Sequence, residues 1–329
     1  MSNYTWENSV KLNEEGIEEI KDICDGIQIM EEKSEEKYLG DVISTDGKNI
    51  KNVKSRVSKG KGIVSRILAI LDSIPLGQFY FEVALLLRNS LLVSSMLSNS
   101  EAWYNVKQAE LNLLETIDHQ FLRSILKAPK STALEMLYLE LGCIPFSKII
   151  MKRRILFAHY ILNEKENSLL NRFFKTQLTN KHKKDWVTQV QNDLSKLDIC
   201  QDFESLKQLK RVNLKCLLDK AIKEHAFQEL TKKKENHSKV MNIKHKTLEM
   251  QKYLKTNKIA TIEDSQEIFK IRSKVTDVKI NFKGKYDSFE CFFCDEEESQ
   301  KHVMECKYIN KNQNHENFPK CMKKFLKMM

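Results

Sequence analysis

The residues best equipped for chemistry stand close together near the end of the chain, in the segment CFFCDEEESQKHVMEC. A Cys-x2-Cys pair, Cys291 and Cys294, is followed after seven residues by the His-x3-Cys step His302 and Cys306. A Cys-x2-Cys turn presents two thiolates from one tight loop, and a His-x3-Cys step places its side chains one helical turn apart on one face. Four soft or borderline donors in this arrangement suit a tetrahedral zinc ion. All four positions would be filled by protein, so the expected site is structural and leaves no open place for substrate. So short a segment has little core of its own, and the metal would supply most of its folding energy. Phe292 and Phe293, between the first two ligands, either form the core of the unit or stack on bases. His315 and Cys321 lie beyond the compact segment and read as bystanders.

The elements that must carry this unit read as mainly helical. Only 9 glycines and 4 prolines occur in 329 residues, which points away from turn-rich β architectures. The first 50 residues differ: Ile27 to Met30 and Tyr38 to Ser44 are short apolar segments around an acidic run, and Thr45-Asp46-Gly47 is a turn signal. They predict a small strand-containing piece. From about Asn52 the period becomes helical, with Val53, Val57, Val64, Ile67, Leu68 and Leu71 on one face. Pro75 and Gly77 break it. A helix over about 79–98 is apolar almost all round and is expected to be central. The next, over about 100–127, buries Leu114, Ile117, Phe121 and Ile125. Thr132 and Glu135 fit a capping box, Gly142 a helix stop and Pro145 a helix start. Helical patterns continue over 165–177, 184–197 (Trp186, Val190, Leu194, Leu197), 205–231 and 261–274. Residues 275–290 return to alternation through Val278, Ile280 and Phe282. No fixed period recurs, which disfavours a solenoid.

Composition limits the partners. The formal charge is +10, which favours an anion, nucleic acid or membrane surface. The most apolar stretch, Phe81 to Leu97, carries Glu82 and Arg88 and is shorter than the roughly 20 residues a span needs, so no membrane is expected. The N-terminus lacks the apolar run of a secretory signal, and an intracellular setting, nuclear or cytoplasmic, follows. Thiols there stay reduced; the scattered Cys24, Cys143, Cys200 and Cys216 read as small buried hydrophobes. Residues 232–246 hold six lysines and one acid. They form either a solvated helix face or linker, or a surface that tracks phosphates.

Several segments, in order, resemble the C-terminal part of reverse transcriptases of non-LTR (LINE-type) retrotransposons. They are KYLGDVISTDG (37–47), SKGKGIVSRILAIL (58–71), NSEAWYNVKQAELNLLETIDHQFLRSIL (99–126) and TALEMLYLELGCIPFSKIIMKRR (132–154), then DWV (185–187) and IFKIRSKVTDVKINFKGKY (268–286). The likeness runs from about residue 27 to 306. It implies that Tyr38, Leu39 and Gly40 match the primer-grip hairpin at the end of the palm. The helices after them match the thumb, and the Cys-Cys-His-Cys unit is similar to the family's nucleic-acid-binding knuckle.

The resulting expectation is a mainly α protein: a helical thumb-like bundle with a small N-terminal β-hairpin remnant and a small C-terminal zinc knuckle. Its parts would be a palm-end strand remnant (1–50), the thumb-like domain (51–178), a basic helical connector (179–275), the knuckle region (276–310) and a basic tail (311–329). The chain departs from the family in having no Asp-Asp pair, whereas two-metal phosphoryl transfer needs carboxylates for both ions. Asp41 and Asp46 read as turn and solvent-facing residues. No catalytic metal is therefore expected, and the chain alone should bind RNA, DNA or an RNA–DNA hybrid without polymerising. Backbone contacts are expected from Lys59, Lys61, Arg66, Lys152, Arg153 and Arg154, and from Lys232, Lys233, Lys234, Lys244 and Lys246 in the connector. The alternative is a helical protein-interaction scaffold or a retroelement remnant without function. Oligomeric state and strand preference are left open.

Overall fold

The structure, a computed structural model, describes residues 35–38, 41–44, 48–180, 185–200, 202–255, 261–276, 278–281, 288–291 and 294–308. The chain divides into two compact units, Met1–Ser55 and Arg56–Met329.

In the first unit, β1 (Glu35–Tyr38) pairs antiparallel with β2 (Asp41–Ser44), Tyr38 opposite Asp41. The expected hairpin is thus present, with Leu39 and Gly40 at its turn in sequence but outside the described residues. Thr45, Asp46 and Gly47 also lie outside them. Asp41 corrects the reading of a solvent-facing turn residue: it opens β2, is half-buried, and accepts a 2.8 Å hydrogen bond from the Asn52 amide. The Asn52 carbonyl oxygen in turn accepts from the Val42 backbone N–H at 3.3 Å.

The second unit is helical. It takes in most of α1 (Ile50–Ser73), then α2 (Tyr80–Leu87), which runs through a π-helical segment, Arg88–Val93, into Ser94–Met96. There follow α3 (Gln108–Leu126), α4 (Leu134–Leu141), α5 (Phe146–Asn163), α6 (Leu169–Asn180) and α7 (Trp186–Leu197). Next come α8 (Phe203–Gln208), the long α9 (Arg211–Glu235), α10 (Ile262–Arg272) and α11 (Gln300–Glu305). The apolar stripes read from the sequence are the ones buried: Val64, Ile67 and Leu71 on α1, Leu114, Ile117, Phe121 and Ile125 on α3, and Val190, Leu194 and Leu197 on α7. Gly60 lets α1 approach closely, since a Cβ there would come within 2.4 Å of the Met96 sulfur. Trp186 packs edge-on to Phe157 and Phe174 in a core shared by α5 to α9, and its indole N–H reaches the Glu101 carbonyl at 2.8 Å.

Several boundaries differ from expectation for physical reasons. The 100–127 helix begins at Gln108, where the Glu110 carboxylate accepts the Lys107 N–H at 2.9 Å; Ser100–Ala102 is a separate 3-10 turn. The pattern over 205–231 is two helices, α8 and α9, with Leu209 and Lys210 extended between them. The Thr132–Glu135 capping box does not form. Ala133 is the cap, the buried Thr132 hydroxyl has no partner, and Glu135 lies 3.1 Å from His237 instead. Leu86 (66 % exposed) and Leu91 (42 %) show that α2 is not enclosed all round. The alternation over 275–290 makes no strand among the described residues; Lys279–Asn281 is a 3-10 turn. Of the scattered cysteines Cys143 is buried, Cys200 half-buried and Cys216 exposed, so Cys216 is no core residue; Cys24 is outside the described residues. No helix among the described residues is long and apolar enough to cross a membrane.

Two buried carboxylates hold the helices in place. The π segment aims Arg88 inward, where it grips Asp118 of α3 with two 2.6 Å hydrogen bonds; the side chains are 1 % and 0 % exposed. Arg88 also donates to the Ile144 carbonyl at 3.0 Å and lies over the Phe146 ring, while the Tyr138 hydroxyl donates to Asp118 at 3.0 Å. Glu140, fully buried near the end of α4, accepts from the His245 ring at 2.9 Å, the Tyr253 hydroxyl at 2.7 Å and the Arg272 guanidinium at 2.9–3.0 Å. Its backbone carbonyl accepts the Gln251 N–H at 2.9 Å. Gly142 makes room for that crossing: its φ is +65°, and a Cβ there would fall 2.1 Å from the Met250 nitrogen.

Replacing Asp118 with Ala leaves a buried, unpaired guanidinium, and a denaturant titration should show a loss of about 3–5 kcal/mol. Glu140 gives a pH dependence. Burial disfavours its charge, but hydrogen bonds from His245, Arg272 and Tyr253 outweigh that and hold its carboxyl below the ordinary carboxylate range. With the folded value depressed, its contribution is complete above the unfolded value of about 4.3 and fades as pH falls through the folded one. Stability measured from pH 6 down to 2 should therefore fall less steeply in Glu140→Gln than in the parent, whatever the variant's lower starting point. Equal slopes would show that Glu140 carries no linked proton.

Candidate metal centre

The four residues picked out by spacing converge. One ligand atom from each of Cys291, Cys294, His302 and Cys306 lies within 4.8 Å of the others. Cys294 Sγ is 3.3 Å from His302 Nε2 and 3.7 Å from Cys306 Sγ. These distances place four donors around one point and fit them to hold a metal ion.

The local backbone explains the convergence. The Cys291 N–H donates to the Glu296 carbonyl at 2.6 Å, and the Asp295 N–H donates to the Cys291 carbonyl at 3.2 Å. Asp295, at φ +60°, turns the chain back so that Glu290 bridges to Glu297. The loop closes on itself and turns both thiols inward. Ser299 then caps α11, its hydroxyl accepting the His302 N–H at 3.1 Å. His302 and Cys306 follow a turn apart, and the Cys306 N–H completes that turn on the His302 carbonyl at 2.8 Å. Cys291 and Cys306 are buried and Cys294 and His302 half-buried, so the donors are shielded without being sealed in.

A second layer orients the imidazole. Glu296 Oε2 lies 3.0 Å from His302 Nδ1, leaving Nε2 to face the sulfurs. Such a carboxylate fixes the tautomer of a ligating histidine and raises its basicity. The unit is anchored to α10: the buried Gln300 amide donates to the Ile271 carbonyl at 3.0 Å and its oxygen accepts from Thr276 at 3.3 Å. Val303 is wholly buried beneath it. Glu298 takes the Lys279 N–H at 3.1 Å, while burial pushes its carboxyl up. Spacing alone did not mark Glu296 or Gln300 as members of the site, although the acidic run inside the ligand loop offered a clue to the first.

The residues expected to meet phosphate are placed very differently from one another. Lys59, Lys61 and Arg66 are exposed on α1, and Lys232, Lys233, Lys244 and Lys246 are exposed at the end of α9 and beyond it. Lys233 lies 2.7 Å from Glu229. Two members of the set, Arg154 and Lys234, are buried, while Lys152 and Arg153 are half-buried and have partners within the chain. Arg154 is buried against Asp193, Lys152 is paired with Asp219, Arg153 donates to the Leu97 carbonyl, and Lys234 is buried with its ammonium on the Ile243 carbonyl. Arg154 and Lys152 thus meet acids, whereas Arg153 and Lys234 meet neutral carbonyls. The basic run at 152–154 looks like a surface in one dimension, but α5 is a central helix, so its cations meet partners on both sides. Tyr38 is in β1, and Phe292 and Phe293 lie outside the described residues. No family model matches the chain, and no curated protein or solved structure matches it.

Proposed function

We propose that this chain is a nucleic-acid-binding protein whose C-terminal knuckle is built on a structural zinc ion. The observation that carries the reading is the Cys-Cys-His-Cys cluster, set in a chain of formal charge +10. Zinc is the metal of choice because three thiolates and an imidazole suit it. Zinc–sulfur bonds of about 2.3 Å separate two tetrahedral sulfurs by about 3.8 Å, and a sulfur from a nitrogen by about 3.5 Å. The 3.7 and 3.3 Å separations agree with those values. Four protein donors complete the shell, so the ion would stabilise structure and perform no reaction.

The ordered likeness of the chain's segments to the C-terminal part of a non-LTR reverse transcriptase supports nucleic acid as the anion. So do the exposed cations of α1 and of the α9 end. Lys59, Lys61, Arg66, Lys232, Lys233, Lys244 and Lys246 would contact phosphates without reading sequence, in RNA, DNA or a hybrid of the two. Phe292 and Phe293 would add base stacking of about 1–3 kcal/mol per base.

Metal analysis of the purified chain should find close to one zinc per molecule, and Cys291→Ser should lose it. Glu296→Ala keeps all four ligands and should weaken zinc binding by about 10–100-fold. A chain that folds identically after chelation would rule out the structural role. For the nucleic-acid reading, fluorescence anisotropy with a labelled single strand and a labelled hybrid should show affinity falling steeply between 50 and 200 mM salt. Each phosphate met contributes a slope of about 0.7–0.9 in log K against log salt. Affinity that is absent, or indifferent to salt, would refute the reading.

A further inference from the structure

A pocket of about 310 Å³ lies where the start of α4, the turn after α9 and the segment after α10 meet. Its polar lining consists of hydrogen-bond donors without an acid. Ser131, Asn236, Ser238, Lys239, Ser273 and Lys274 face it, and no carboxylate is among its described lining residues. In a chain with 45 acidic residues, such a lining selects for anions.

A buried hydroxyl and two cations point to a ligand. Ser273 is 2 % exposed, yet its Oγ has no hydrogen-bond partner. A buried hydroxyl without a partner costs about 1–3 kcal/mol, which a bound acceptor would relieve. The eight-residue α4 also begins at this pocket, with Ala133 as a cap that offers no side-chain acceptor. Lys239 donates at 3.0 Å to the Asn281 oxygen, a neutral acceptor that leaves the ammonium charge uncompensated. Lys274 is held at φ +57° by the bond from its N–H to the Ile271 carbonyl. His237 also lines the pocket, but Glu135 answers it at 3.1 Å, so the two lysines are the cations that count.

We infer that this pocket is a phosphate-binding site formed by Lys239, Lys274 and Ser273, and that it holds one backbone phosphate of the bound nucleic acid. The inference rests on the nucleic-acid reading above and names a particular anchor within it. The volume exceeds what a lone phosphate needs and leaves room for the flanking sugar. The anchor also gives a role to the lysine-rich 232–246 segment beyond a diffuse positive face. One turn of it, at Ser238 and Lys239, forms a wall of a concave site.

The test uses the full zinc-loaded chain, with Lys239→Gln plus Lys274→Asn, and separately Ser273→Ala. Both lysines are exposed, and Asn tolerates the left-handed backbone at 274, so a thermal melt should show an unchanged fold. In anisotropy titrations with a labelled single strand, the double variant should lower the salt slope by roughly 1–2 units and the affinity by about tenfold at 0.1 M salt. Ser273→Ala, which changes no charge, should weaken binding several-fold and leave the slope alone. If the parent binds steeply and both variants match it, the pocket assignment is wrong and the general reading stands. Should the parent not bind at all, both fail. Inorganic phosphate that raises the parent's melting temperature but not the double variant's, with oligonucleotide affinity the same in both, would make this a free-phosphate site and overturn the assignment to a strand.

Discussion

The arrangement of the C-terminal half depends on one buried carboxylate, Glu140. An isolated anion in a helical core is costly enough that it neutralises unless donors surround it. Here the donors come from far along the chain: His245 and Tyr253 from the segment after α9, and Arg272 from the last turn of α10. Each must travel to α4 for the charge to be tolerated. The single side chain therefore selects one docking position for a connector that has little regular structure of its own. Backbone contacts repeat the choice, since the Glu140 carbonyl takes the Gln251 N–H and Leu141 bridges to Met250. The absent side chain of Gly142 leaves the space the crossing chain needs. Further support comes from α10, whose Gln266 amide donates to the Ile125 carbonyl at the end of α3 at 2.8 Å.

The same logic sorts the cations. A strongly basic chain has more positive groups than acidic partners, and the fold decides which are used inside. Arg88 goes to Asp118, Arg154 to Asp193, Arg272 to Glu140 and Lys148 to Glu229, all at helix crossings. Buried or half-buried pairs of this kind specify geometry more than they add net stability, because desolvation offsets much of the attraction. What remains on the surface is the true charge available to a partner. Lys59, Lys61 and Arg66 stay exposed on α1, whereas the run at 152–154 is half-buried or buried and has partners within the chain. Linear charge density therefore overstated the surface on α5, which has neighbours on several sides.

This separates what could be read from the sequence from what could not. Periodicity reports burial within one element, so Leu114, Ile117, Phe121 and Ile125 were legible, as were Val190 and Leu194. The Cys/His cluster was legible because turn and helix steps fix the relative placement of its members within sixteen residues. Local rules failed where a distant residue competed. Glu135 has the spacing to cap with Thr132, but His237 engages it. Lys234 continues the narrow stripe of Leu214, Leu218, Ile222, Ala226 and Leu230 down α9, and so is buried despite its charge. A lone acid in the apolar stretch Met136 to Leu141 was a sign of a buried carboxylate; its partners could not be named without the fold.

The metal unit and the core are linked through α10. Gln300 at the start of α11 hydrogen-bonds to the Ile271 carbonyl, next to Arg272, which binds Glu140. Ser273 and Lys274 follow immediately, so the chain passes from core clasp to pocket wall to knuckle within a few residues. The other walls belong to the start of α4 and the turn after α9, near the opposite end of α4 from Glu140. Arg272 of the Glu140 clasp thus stands directly beside a wall of the pocket and beside Ile271, on which Gln300 rests. The Cys/His unit has its own local frame, since the Cys291 N–H meets the Glu296 carbonyl and Ser299 caps the helix that carries His302. Its attachment runs through the Ile271 carbonyl, beside Arg272, whose partner Glu140 stands more than 150 residues before Cys291. In this arrangement local hydrogen bonds shape the Cys/His unit, and Gln300 attaches that shape to the end of α10.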